Sequence, residues 1–266
     1  MVKKSIHFFL IFLFFFLFKN NAFAIDEIQE CFNYINAQDY NRAISVGQKA
    51  VNLYPASHLA YFCLGEAYYL TGEISDAIET LKKAEQYSSS DSDLIHVYNL
   101  LGLIYHNKGE LDKALSHYEQ SLNLKTNEKD KIPAYNNIAN IYSDKGDLKK
   151  AIEYLQKAMD ISEKYDDYQS FAQVEINLGN TYRKMKDFDN AQNYLFDGLK
   201  RIQKIGDTFW EGIAYKCIGF MYMDQGNKTP AEQYLNKALE IFKSIGAQKE
   251  LEEVSRSITW LKSQSK

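Results

Sequence analysis

Residues 61–84 read YFCLGEAYYLTGEISDAIETLKKA, and the placing of their small and aromatic residues decides the fold. Tyr61, Leu64, Gly65 and Tyr68 follow one another at short helical steps, Gly72 intervenes, and Ala77, Leu81 and Ala84 take up the same rhythm. Such steps put apolar residues on one side of a helix. A glycine between two such runs can take the left-handed conformation that ends the first helix. The stretch therefore predicts a helical hairpin, with the acidic Glu73 at the start of its second helix, where the helix dipole favours it.

Working outward, the same beat returns along the chain. Tyrosine stands at Tyr34, Tyr68, Tyr105, Tyr142, Tyr182 and Tyr222, and alanine follows nine residues later at Ala43, Ala77, Ala114, Ala151, Ala191 and Ala231. The spacings of 34, 37, 37, 40 and 40 residues fall where one supersecondary unit stacks on copies of itself. Gly102, Gly179 and Gly219 repeat the small residue of Gly65, and Gly109, Gly146 and Gly226 repeat the turn of Gly72. Two units depart from the pattern: Gln38 stands at the turn position of the first, whose first helix is worn, and Lys186 at that of the fifth, which predicts a looser hairpin there. The Ser88–Asp93 run resembles a linker by composition but needs to be no more than a turn with helix caps.

At these residues the chain resembles the tetratricopeptide repeat (TPR) family, whose motif places small residues where two antiparallel helices touch. The resemblance covers about residues 25–246 and implies an all-α, right-handed superhelical solenoid of six helix pairs. After Gly246, Leu251, Val254, Ile258 and Leu261 still form one helical stripe, which predicts a capping helix over residues 247–266 that closes the last apolar face.

The chain opens differently. Lys3 and Lys4 precede an apolar run from Phe8 to Phe18, and Ala22-Phe23-Ala24 supplies small residues at a cleavage position. This layout predicts a signal peptide over 1–24 and an exported protein, periplasmic or secreted. Lys3, Lys4 and Lys19 leave with it and no acid does, so 31 basic residues become 28 against 35 acidic, and the formal charge moves from −4 to −7. An acidic chain without a basic block argues against nucleic acid as partner, and no second apolar segment of spanning length follows. Cys31, Cys63 and Cys217, odd in number and far apart, indicate no disulfide framework; an exported protein could oxidise two of them, but the expectation is buried thiols.

The resemblance also places the first helix of each pair on a concave groove, at positions three, seven and ten residues after the second residue of the motif. Those positions collect Asn99, Asn136, Asn140 and Asn180, with Asn137 and Asn177 beside them and His106, Arg183 and Lys216 along the same stripe. Asparagine is a poor interior helix residue. Its amide offers a donor and an acceptor to an extended peptide backbone, or it bonds within the stack, and both roles remain open. Arg183 and Lys216 could pair with acidic side chains of a partner. His96, His106 and His117 lack metal-ligand spacing, and there is no paired-cysteine motif or phosphate loop, so the expectation is no cofactor, no metal and no catalysis. The reading is a non-enzymatic adaptor that binds a peptide or helical segment of another protein in its groove. The alternative is a sensory module whose superhelix responds to a small peptide signal.

Overall fold

A computed structural model of the chain describes residues 26–264, so the expected signal segment lies outside the described residues. These residues hold thirteen α-helices, one short 3-10 turn at Glu128–Lys131 and no strand. The all-α class expected from the sequence is what the chain adopts. Helices cluster into two compact units, 26–137 and 138–264.

In the unit 26–137, α1 (Asp26–Asn36) pairs with α2 (Tyr40–Leu53), α3 (His58–Thr71) with α4 (Ile74–Tyr87), and α5 (Asp91–Asn107) with α6 (Leu111–Asn123). The first helices α1, α3 and α5 neighbour one another in that order. The boundary of the units falls within α7 (Ile132–Asp144). In the unit 138–264, α8 (Leu148–Lys164) follows, α9 (Tyr168–Lys184) pairs with α10 (Phe188–Ile205), and α11 (Thr208–Asp224) pairs with α12 (Lys228–Ile245). Helix α13 (Gln248–Ser263) buries Val254, Ile258 and Leu261 with Phe242 and Ile245 of α12.

One packing rule recurs within each unit. A glycine of the first helix meets the side chain sixteen residues later in the second: Gly65 meets Leu81, Gly102 meets Tyr118, Gly179 meets Leu195 and Gly219 meets Leu235. A Cβ on Gly102 would lie 2.6 Å from the Tyr118 ring, which is fully buried. Gly102→Leu is therefore expected to overpack the α5–α6 pair and to cost about 1–3 kcal/mol in urea unfolding; an unchanged midpoint would show that the ring has somewhere to go.

Four of the six beat tyrosines stack on a ring of the second helix. Tyr105 stacks on His117 at 5.3 Å, Tyr142 on Tyr154 at 5.6 Å, Tyr182 on Tyr194 at 5.5 Å and Tyr222 on Tyr234 at 5.7 Å, each partner lying twelve residues on. His117, one of the three histidines weighed as metal ligands from the sequence, thus serves a ring stack. Burial holds its imidazole below the usual range, with the Glu85 charge opposing.

Turns follow the sequence with one refinement. Gly72, Gly109, Gly146 and Gly226 all have positive φ, and Gln38 at 60° and Lys186 at 62° adopt the same conformation with side chains in place, at about 1 kcal/mol each. Asp147 and Asp187 cap their helices by accepting from the Lys150 and Asn190 amides at 3.2 Å, whereas Glu73 and Glu110 make no side-chain cap bond. The extra methylene of glutamate carries its carboxylate past the amide. The serine-rich run is a capping box: Ser90 Oγ accepts from the Asp93 amide, and Asp93 Oδ2 accepts from the Ser90 amide at 3.1 Å.

The cysteine expectation is corrected. Cys31 of α1 and Cys63 of α3 form a disulfide across 32 residues, and Cys217 alone keeps a buried thiol. Neighbouring first helices bring the two together, a proximity that separation along the chain conceals.

Candidate functional site

The faces of the first helices that turn away from their hairpin partners carry the side chains expected to meet a ligand. In α3, Gly65 packs against Leu81 of α4, so the adjacent stripe of Phe62, Glu66 and Tyr69, spaced by four and three residues, lies on a different side of the helix. Phe62 reaches both neighbours: its ring is 6.4 Å from Phe32 of α1 and 6.3 Å from His96 of α5. Tyr69 Oη accepts from Asn107 Nδ2 of α5 at 2.7 Å. Glu66 lies between these two crossings, only 5% exposed. Burial pushes its carboxyl up to about 7.

Two histidines edge this stripe. His58 Nε2 is 3.1 Å from Asp93 Oδ1, and burial lowers the His58 pKa against the pull of that carboxylate. Burial lowers His96 as well, with Asp130 and Asp93 opposing. On α5 the Asn99 Oδ1 is buried and accepts no hydrogen bond among the described residues. His106 is partly exposed in the last turn of α5, and Asn136 of α7 is 8% exposed while Asn137 is partly exposed. On the other side of α3, Tyr61, Leu64 and Tyr68 floor a cavity of about 460 Å³ rimmed by Asp76 and Lys83 of α4.

In the unit 138–264 the first helices are linked by charge. Lys184 Nζ donates to Ser143 Oγ at 2.7 Å and lies 3.5 Å from Asp144 Oδ1. Arg183 of α9 forms an ion pair with Asp224 of α11, and its Nε donates to Asn180 Oδ1 at 3.0 Å. Lys216 of α11 donates to Glu253 Oε2 of α13 at 2.8 Å. The structure thus brings Asn180 and Arg183 together and gives both expected cations partners inside the chain. Asn177 offers its backbone carbonyl to Thr181 Oγ1 at 2.8 Å. Asn140 is partly exposed, and its amide makes no hydrogen bond among the described residues. Glu175, also pushed up to about 7 by burial, has Arg201 Nε 2.9 Å from its Oε2.

Among the described residues, no group of three or more His, Cys, Asp or Glu could hold a metal ion, and no helix is long and apolar enough to cross a membrane. Sequence reasoning passed over Asp224 and Glu253, whose signal is their separation of about one repeat from Arg183 and Lys216, and over Glu66, which falls at a groove position.

Comparison with known proteins agrees with this geometry. A family model described as the MalT-like TPR region matches residues 30–179, and one described as tetratricopeptide repeat matches 170–244. No curated protein matches the sequence. Among solved structures, a Rap protein complexed with competence and sporulation factor aligns with TM-score 0.68 and 16% identity over 88% of this chain and 69% of that one. The type IV pilus biogenesis factor PilW aligns with TM-score 0.65 and 16% identity, covering 86% of this chain and 96% of its own. The APC/C hetero-tetramer Cut9-Hcn1 gives TM-score 0.67 and 20% identity over 86% of this chain, which spans 42% of that one. At these identities the likeness is one of fold.

Proposed function

This chain belongs to the tetratricopeptide repeat family, a protein-interaction scaffold, and from that membership we propose that it is an exported, non-enzymatic adaptor. It holds a peptide or helical segment of a partner protein on the faces of its first helices. Six repeats over 25–246 and a closing helix after them form the scaffold of this reading, and no nucleic acid or cofactor enters it. The observation that carries it is that two groups on those faces make no hydrogen bond among the described residues, the buried Asn99 Oδ1 and the partly exposed amide of Asn140. An internal hairpin would leave such groups unpaired at no gain, whereas an extended peptide presents the donors and acceptors they match.

Export is supported by the N-terminal sequence and by the Cys31–Cys63 disulfide, since such bonds persist in oxidising compartments. Envelope fractions are therefore the source for the test. Asn140→Ala should weaken capture of the partner by the mature protein about two- to tenfold, the worth of one net hydrogen bond, and leave the melting temperature unchanged. Full capture by the variant would remove Asn140 from the binding face, and a lowered melting temperature would assign its amide to the stack.

A second reading is favoured by the likeness to the Rap protein solved with competence and sporulation factor: a sensory module that responds to a small peptide. The ion pairs between successive first helices, Arg183–Asp224 and Lys216–Glu253, would then re-form at a new helix spacing. A receptor changes its small-angle scattering profile when peptide is added, and a static scaffold does not.

A further inference from the structure

We propose that the first-helix face of residues 26–137 contains a subsite for a basic side chain of the bound peptide, with the Glu66 carboxylate as its acceptor. The inference rests on the groove reading above and names the chemistry that groove selects. Glu66 is buried to 5% exposure, and among the described residues no cation or hydrogen-bond donor is placed on its carboxylate. A buried carboxylate without a partner is unfavourable in a finished fold. Glu175, at similar burial, has Arg201 Nε 2.9 Å from its Oε2, so a cation stands beside a buried carboxylate elsewhere in this chain.

The surroundings of Glu66 suit a cation. Phe62 and Tyr69 flank it on α3, one helical turn to either side, and aromatic faces attract an ammonium or guanidinium group. Across from this stripe, α5 is met by Phe62 at His96 and by Tyr69 at Asn107, so the α5 residues between those crossings, Asn99 among them, lie at the level of Glu66. Asn99 Oδ1 is a second buried acceptor without a donor. Two acceptors, two flanking rings and no cation make half of a recognition site, and a guanidinium fills it with several N–H groups in one plane. Tyr40 at the start of α2 senses the same carboxylate, its hydroxyl pushed up first by burial and then by the Glu66 charge. Burial raises the Glu66 carboxyl with no nearby cation opposing it, whereas at Glu175 the Arg201 charge opposes the same effect.

The alternative charge preference is disfavoured on the same page. Arg183 and Lys216, the cations the sequence offers to an acidic ligand, are engaged by Asp224 and Glu253.

The test uses fluorescein-labelled nonapeptides, blocked at both ends and identical except for a central Arg, Lys, Ala or Glu, with binding to the mature protein read by fluorescence anisotropy. The Arg and Lys peptides are expected to bind about tenfold more tightly than the Ala peptide, and the Glu peptide more weakly than Ala. In Glu66→Gln, which keeps the side-chain shape, that preference should collapse, and Glu66→Asp should recover part of it. Equal binding of all four peptides, or a preference that survives Glu66→Gln, overturns the subsite while leaving the groove in place. An Ala peptide with a free N-terminus that gains the same tenfold would reassign the site to a terminal ammonium and overturn the side-chain proposal. If none of the peptides binds, the subsite is overturned, and partner capture by Asn140→Ala decides the groove separately.

Discussion

Replacing Cys31 and Cys63 together by alanine is expected to lower the stability of the folded chain by about 3–4 kcal/mol, the chain-entropy value for a loop of this length. The bond closes 32 residues of sequence separation, spanning α2 and the whole turn into α3. Both cysteines are completely buried, so alanine removes the cross-link without exposing a polar group and leaves a small void. Guanidinium unfolding of the oxidised wild type, of the same protein under reductant and of the double variant separates the two effects. The reduced wild type should lose nearly as much as the variant, because the native packing is otherwise the same. Cys217 provides the internal control: burial raises its thiol above the ordinary value, which keeps it a poor nucleophile for exchange. A loss below about 1 kcal/mol on reduction would mean that the unfolded chain already holds these two segments close together.

Glu66→Gln is expected to make the protein more stable than wild type, and increasingly so as pH rises. The sign follows from linkage. The folded-state pKa of about 7 lies above the ordinary 4.5, so between these values the folded chain binds a proton that the unfolded chain has released. Stability contributed by Glu66 is complete below the unfolded pKa and is lost as pH rises through the folded one. From pH 5 to pH 8 the wild type should therefore lose about 2–3 kcal/mol relative to the glutamine variant, at about 1.4 kcal/mol per pKa unit. Taking the difference between variant and wild type cancels the titration of His58, His96 and the other groups common to both. A difference that does not change with pH would show a carboxylate solvated in the folded state, and it would weaken the subsite as well. The two predictions meet here, because a residue that costs the fold stability at neutral pH is one whose retention asks for a binding role.

The architecture was legible because packing dictates the residues that carry it. Gly65 and Gly102 are small since a Cβ would strike Leu81 and Tyr118, and such a constraint writes itself into the sequence at every repeat. The disulfide was not legible in the same way. Cys31 occupies the small-residue position of its unit, the equivalent of Gly65, while Cys63 stands two residues before that position. The repeat phase thus points them in different directions around their helices, and the pairing is seen only once α1 and α3 are known to be neighbours. The candidate site was half legible. Counting along the motif reaches Asn136 and Asn140, and by the same count Phe62, Glu66 and Tyr69. Glu66 is buried in the fold, with Tyr40 of α2 near enough to sense its charge, and a glutamate on a helix face otherwise reads as solvated. Arg183 and Lys216 carried no mark of being satisfied, because their partners come from the next helix of the row.

The ion pairs of the unit 138–264 have a consequence for the order of its repeats. The glycine contacts and the tyrosine stacks close within one hairpin, while the apolar residues of α9, α10 and α11 share one core across two of them. Lys184 with Asp144, Arg183 with Asp224 and Lys216 with Glu253 instead join different hairpins, and α11 supplies an acid to the helix before it and a base to the helix after it. Exchanging two hairpins would preserve every buried contact of the first kind and set unmatched charges side by side. The charges therefore work as a sequence of keyed joints: packing says what each part is, and charge says which part comes next.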